Sequence, residues 1–214
     1  VVEGATLVAE AVAAGWEVEA QFVAPGVEPV VGAGPVRRLA PGVAERISAT
    51  TTPPGLFAVV RARAMDASVL DAAQLAVVAD RLADPGNLGT ILRSAEAAGA
   101  DAVVLTPGSV DVLNPKVVRA SAGALFHVPV AVADLGAVRA AGLRLLGTSS
   151  HQGTPHTAVD WSGRVAIVLG NEAHGLDPDA PVDEWVRIEH RGRAESLNVA
   201  MAATVLCFEA ARRR

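Results

Sequence analysis

The sequence predicts an α/β protein: a mostly parallel sheet covered by helices on both faces, preceded by a small α/β unit. Three observations carry this. Apolar runs such as Leu75-Ala76-Val77-Val78 and Val165-Ala166-Ile167-Val168-Leu169 lack the two-residue alternation of a half-solvated strand, so both faces must be covered. They alternate regularly with segments of helical spacing, the pattern of strand–helix–strand units. Hydrophobic residues make up 51% of the chain, yet no apolar run is long enough to span a bilayer, so that content goes into a core.

In order, Glu3 to Ala14 has helical spacing and stops at Gly15, and Val18 to Val23 alternates like a strand. Pro25 to Gly34 is turn-rich. Gly32-Ala33-Gly34 is a loop rather than a nucleotide cradle: Pro35 follows, and neither a third spaced glycine nor the required helix is there. Val36 to Leu39 reads as a strand, Val43 to Ala49 as a short helix, and Leu56 to Val60 as a strand after Pro53-Pro54-Gly55. Residues 1–62 are thus expected to form a small α/β domain. Residues 63–74, polar and small, are the expected linker, and 75–214 the second domain.

Within that second domain the expected elements are strand 75–79, helix 88–98, strand 102–105, helix 115–122 and strand 127–132. Helix 135–141, strand 143–148, strands 165–169 and 185–189, and helix 195–211 follow. Pro85 and Gly86 make a turn before the first of these helices, and Asn87 is its expected cap. A helix starting at Asn87 is expected to bring Asn87 and Arg93 to one rim of a site.

Composition excludes several classes. One cysteine, Cys207, rules out a disulfide framework within one chain and favours a reducing compartment, so a cytoplasmic protein is expected. No basic-then-apolar leader opens the sequence, and starting at Val1 rather than methionine, the first unit is expected to lack its beginning. His151, His156, His174 and His190 match no common zinc spacing and cysteine ligands are lacking, so no metal is expected. A nicotinamide enzyme needs a glycine-rich fingerprint after a strand, with an acidic residue about twenty positions on; neither is present. The formal charge of −5 neither supports nor sinks RNA binding, which needs only a local basic patch. Lys116, Arg119, Arg139 and Arg144 give one such local excess. Arg187, Arg191, Arg193 and Arg212 to Arg214 give another. Aromatics are 3% and tyrosine is absent, so stacking platforms do not dominate any base recognition.

Three stretches carry more specific information. They are Asp84-Pro85-Gly86-Asn87-Leu88-Gly89-Thr90-Ile91-Leu92-Arg93, Leu169-Gly170-Asn171-Glu172-Ala173-His174-Gly175-Leu176, and Glu195-Ser196-Leu197-Asn198-Val199-Ala200. In this order they resemble the three motifs of the SpoU (TrmH-like) RNA ribose 2′-O-methyltransferases, a family of the SPOUT superfamily. The resemblance covers Leu75 to the C-terminus. It implies a C-terminal trefoil knot, S-adenosylmethionine as methyl donor, a homodimer, and an RNA substrate, ribosomal RNA ahead of tRNA. A non-catalytic RNA-binding or ribosome-assembly protein on the same fold is the other class; retention of the whole motif set argues against it.

Carried over by position, the resemblance puts the adenosine pocket on Thr148, Leu169, Gly170, Asn171, Ile188, Ser196 and Leu197. It casts Arg93 as central to catalysis, supported by Asn87, Glu172, Ser196 and Asn198, and sets Lys116 and Arg119 near the RNA. Arginine is a poor base, so two roles stay open: Arg93 takes the 2′-hydroxyl proton, or it grips the adjacent phosphate. Glu172 is expected to orient Asn171 or Arg93, with a helix-start carboxylate as the plain alternative. Ser196 and Asn198, two apart, do not share a helical face and must act from the first turn of the last helix.

Overall fold

The computed structural model describes residues 1–48 and 50–214. The chain first lays down β1 (Val2–Glu3), α1 (Ala5–Ala13), β2 (Val18–Val23), β3 (Val36–Arg38), α2 (Val43–Ile47) and β4 (Leu56–Val60). These strands form a four-stranded sheet in the order β1-β4-β2-β3. The first helix begins at Ala5 rather than Glu3, because Val2 and Glu3 pair with Ala58 and Phe57 and Gly4, at φ 95°, turns the chain out of the strand. The helix expected over 43–49 ends at Ile47, and Ala49 lies outside the described residues.

Residues 61–74 are not an extended tether. Asp66 caps a 3-10 turn at Ala67–Leu70, and Leu70 and Ala73 are buried in the core of the second sheet. Arg164 fixes the segment by donating to the carbonyls of Leu70, Asp71 and Ala73.

The second unit runs β5 (Leu75–Ala79), α3 (Pro85–Ala97), β6 (Ala102–Leu105), α4 (Pro115–Ala120), β7 (Val130–Val132), α5 (Leu135–Ala140) and β8 (Arg144–Thr148). Then come β9 (Thr154–Pro155), β10 (Val165–Leu169), β11 (Glu184–Arg187) and α6 (Val199–Arg213). The seven-stranded sheet has the order β7-β6-β5-β10-β8-β11-β9, and every pairing in it is parallel. Successive residues of a strand point to opposite faces, and here both faces are covered. Leu75, Val77 and Ala79 share a core with α3 and α6 residues including Leu88, Ile91, Ala203 and Leu206. Ala76 and Val78 share another with Val138 of α5, Leu143 and Leu70. The order, with β8 between β10 and β11, is consistent with the knotted thread the resemblance implies.

Several boundaries move for local reasons. Asp84, not Asn87, caps α3: its Oδ1 accepts from Asn87 N–H at 2.7 Å, and Pro85 occupies the first helical turn, where a missing N–H costs nothing. Asn198 caps α6 by accepting from the N–H groups of Ala200 and Met201, so that helix starts at Val199 instead of 195. The strand expected over 127–132 is only Val130–Val132, preceded by a 3-10 turn at Ala124–Phe126. β11 is Glu184–Arg187 rather than 185–189, and the two-residue β9 was not expected.

The two units share one core. Leu7, Val8 and Ala11 of α1 belong to the same buried cluster as β5 and α3. Trp16 Nε1 donates to the Phe126 carbonyl at 2.9 Å while the two rings meet edge to face, and Glu10 pairs with His127 at 2.8 Å.

Candidate active site at the strand ends

Parallel strands all release their loops at one sheet edge, and ligands bind where those loops diverge. Here the ends of β8, β10 and β11, with the start of α6, enclose an open cleft of about 720 Å³. That lies within the size range of small-molecule sites. Thr148, Leu169, Gly170, Asn171, Ile188 and Leu197 all line it, as do Asn87, Glu172, Ser196 and Asn198. The structure therefore brings together every expected residue from the second and third motifs, plus Asn87 from the first.

A chain of side-chain hydrogen bonds joins the three motifs. Asn198 Nδ2 donates to Asn87 Oδ1 at 2.9 Å, and Asn87 Nδ2 donates to Glu172 Oε1 at 3.1 Å. The direction is fixed chemically. An ionised carboxylate only accepts, so Asn87 must present its amide nitrogen to Glu172 and its oxygen to Asn198. Asn198 has already committed its own oxygen to capping α6, leaving only its nitrogen to donate. Glu172 also accepts from the backbone N–H groups of Ala83 at 3.1 Å and Asp84 at 2.9 Å. Partial burial pushes the Glu172 carboxyl up, but the bonds from Asn87, Ala83 and Asp84 together outweigh it and hold the group below the usual glutamate range. Glu172 thus binds Asn87 and the loop after β5, not Asn171 or Arg93.

Asn171 has a different task. Its Nδ2 donates to the Arg81 carbonyl at 2.8 Å and its Oδ1 accepts from Ala173 N–H at 2.9 Å, so its amide is spent on holding loops together. Its backbone closes a small hairpin with Gly175 in both directions. Gly170 makes that hairpin possible: a Cβ there would lie 2.1 Å from Leu176 N and 2.2 Å from the Gly175 carbonyl carbon. Thr148 likewise turns its hydroxyl to the Val168 carbonyl at 3.0 Å. Ser196 precedes α6 and Asn198 caps it, so the two reach the cleft from the entry to the helix rather than from its first turn.

The cleft fits a nucleoside-bearing cofactor. Ile188 and Leu197 offer apolar surface for a flat base, Leu169 backs them from the core, and backbone turns supply polar groups. His190 also lines the cleft, and its Nε2 is buried without a partner among the described residues, a donor or acceptor still to be satisfied. From sequence His190 is considered only as a zinc ligand and set aside, and its place two residues after Ile188 is the one signal that could have found it. Among the described residues no group of three or more His, Cys, Asp or Glu is placed to hold a metal ion, and no helix is long and apolar enough to cross a membrane.

Arg93 is not at this cleft. Six positions along a helix turn a side chain through about 600°, leaving Asn87 and Arg93 roughly 120° apart. Arg93 is exposed, has no partner among the described residues, and borders a second crevice of about 810 Å³ with Glu10, His127 and Phe208. Within one chain the expectation of a shared rim therefore fails. Lys116 is exposed on α4, while Arg119 is half-buried with Nη1 unpartnered among the described residues, and neither lines the cleft.

Sheet order, two-sided helical cover and a cleft at the strand ends beside the last helix fit the SPOUT-type α/β class that the resemblance implies. Residues 74–208 match the model of the SpoU rRNA Methylase family, and the chain belongs to that family. It is 37% identical over 168 residues to the 23S rRNA (guanosine(2553)-2′-O)-methyltransferase RlmP of Bacillus subtilis (strain 168), covering 76% of this chain and 66% of that protein. It is 38% identical over 176 residues to the 23S rRNA (uridine(2479)-2′-O)-methyltransferase of Streptomyces viridochromogenes, covering 76% and 61%. The chain thus spans just under two thirds of the length of these relatives. Among solved structures, the AdoMet-bound rRNA methyltransferase from Sinorhizobium meliloti superposes with a TM-score of 0.87 at 32% identity, covering 99% of this chain and 86% of that one. The SpoU methyltransferase AviRb from Streptomyces viridochromogenes, in complex with AdoMet, gives 0.86 at 31% identity, covering 99% and 89%.

Proposed function

We propose that this chain is an S-adenosylmethionine-dependent methyltransferase acting on a ribose 2′-hydroxyl of ribosomal RNA. The observation that carries the reading is the Asn198–Asn87–Glu172 chain, which ties all three motifs to one wall of the cleft. The names of the relatives and the AdoMet in two neighbouring structures support it. When bound, the cofactor supplies a sulfonium methyl; transfer forms a C–O bond, breaks the C–S bond and releases the hydroxyl proton. The protein's part is alignment and fixed polarity. Ile188 and Leu197, backed by Leu169, would hold the base, His190 would offer a ring nitrogen, and Ser196 and the α6 cap would complete the polar lining.

Arg93 completes the site from a second copy of the chain. The exposed face of α6 carries Met201, Val205 and Phe208, spaced as one helical stripe, with Leu197 at its start. Phe208 also borders the Arg93 crevice. A homodimer packed on this stripe covers apolar surface and carries Arg93 toward the partner's cleft, where it binds the RNA phosphate or takes the hydroxyl proton. Lys116 and Arg119 extend the RNA contact along α4, and residues 1–62 form an RNA-binding unit ahead of the catalytic residues 75–214. The reaction needs no metal and takes place in the cytoplasm.

Single-turnover methyl transfer to unmodified ribosomal RNA, with donor binding measured separately by calorimetry, tests this. Arg93→Ala is expected to lose about 10²–10³ in rate while donor affinity stays. Near-normal turnover in that variant ends the assignment of Arg93.

A further inference from the structure

Arg81, two residues beyond β5, has φ 50°, a backbone conformation that a residue with a Cβ adopts at a cost and glycine adopts freely. The turn is held without the side chain. Arg81 N–H donates to Thr106 Oγ1 at 2.9 Å, and its carbonyl accepts from Asn171 Nδ2 at 2.8 Å. An arginine where glycine would serve the backbone better owes its place to its guanidinium.

That guanidinium is anchored by one edge only. Its Nε donates to Asp80 Oδ2 at 3.2 Å, and the buried Asp80 carboxylate receives Thr106 Oγ1 on its other oxygen at 2.8 Å. The two Nη groups have no partner among the described residues, and the side chain is 54% exposed. They are the fork that grips two oxygens of one anion. A surface arginine normally loses rotamer freedom when it takes an anion; here the buried carboxylate has already fixed one edge of the plane. Arg164, by contrast, spends its donors on backbone carbonyls, and Arg93 has no anchor among the described residues.

We propose that Arg81 is a prepositioned phosphate grip that seats the RNA backbone beside the cleft; this rests on the reading of the site given above. The backbone that carries the fork is tied to the loop of Glu172, since Asn171 holds the Arg81 carbonyl. Arg81 does not line the cleft itself, so the oxyanion it takes is an RNA phosphodiester rather than the carboxylate of a bound cofactor.

The test is filter binding of unmodified large-subunit ribosomal RNA across about 50–200 mM salt, beside calorimetry with S-adenosylmethionine and a melting curve. Glycine suits the turn, so Arg81→Gly is the primary variant. If the uncompensated Asp80 carboxylate unfolds it, Asp80→Asn with Arg81→Gly removes both charges and carries the same expectation. RNA affinity should fall about tenfold, the log–log salt slope should become shallower by about 0.7–0.9, and cofactor affinity should not change. Arg81→Lys should restore the slope but not the full affinity, because lysine keeps the charge without the anchored fork. A wild-type slope in Arg81→Gly overturns the assignment, whether melting falls (Arg81 is then only the counter-ion of Asp80) or stays. Weaker cofactor binding with an unchanged slope overturns it in favour of the carboxylate. A wild-type chain that binds no ribosomal RNA overturns both this inference and the reading beneath it.

Discussion

Glu172 ends the polar chain of the cleft, and its ionisation decides whether that chain holds. Its carboxyl lies below the ordinary value of 4.5 in the folded protein, so on acidification the unfolded chain takes up this proton first. Its stabilisation is therefore complete above the ordinary carboxylate range and is lost as pH falls through the depressed folded value. The melting-temperature gap between wild type and Glu172→Gln should be open at neutral pH and narrow progressively as pH drops below about 4.5; a gap that does not change with pH would contradict this origin. Cys207 offers a second check. Burial pushes its thiol up to about 12, and only the thiolate reacts. A thiol reagent at neutral pH should leave the folded chain unlabelled and modify one cysteine once denaturant opens it. At this scale the motifs made Asn87, Glu172 and Asn198 legible in the sequence. Their wiring was not legible, since the bonds join residues 85 and 111 positions apart. Nor was the turn at Arg81, because arginine carries no mark of a left-handed backbone.

Helix α3 approaches α4 through Gly89. A Cβ there would stand 2.4 Å from Ala120 Cβ and 2.8 Å from Ala120 C and Ser121 N, so the helices would have to separate. Alanine gains about 1 kcal/mol of helix propensity over glycine, but such overpacking costs about 1–3 kcal/mol. Backbone atoms cannot swing away as a side chain can, so the cost should win. Gly89→Ala is expected to lower the melting temperature by a few degrees. A rise would mean that the helices slide apart freely. The strands placed to the residue from sequence are β5, β6 and β10, buried on both faces, where an unbroken apolar run has one interpretation, and β2 and β4 of the first sheet, bounded by turn residues. Helix starts were misjudged where two capping residues compete. Asp84 outranks Asn87 and frees the Asn87 amide for the cleft, and Asn198 outranks the Glu195-Ser196 segment. A two-residue strand such as β9 has too little pattern to be read at all.

Across the whole molecule, the largest uncovered apolar feature of α6 is the stripe containing Met201 and Phe208, 62% and 50% exposed. Leu206, on the same helix, is core. If the stripe is where two copies meet, Phe208→Glu should convert a dimer to a monomer by light scattering at micromolar concentration. The melting temperature of the monomer itself should change little, since surface substitutions cost within about 0.5 kcal/mol. A wild-type chain that scatters only as a monomer would remove the dimer. The α/β class and the order of elements were open to reading because they follow from periodicity. The side-by-side order of strands was not, because it depends on pairings between segments far apart in sequence, such as β5 with β10.

The three-residue chain from Asn198 to Glu172 also sets a clock on biogenesis. A ribosome releases the loop with Asn87 long before it makes Glu172, and Glu172 before Asn198. Until then the Asn87 amide has only water for company, and α6 has no cap to start from. The cleft can exist only once the last helix has docked.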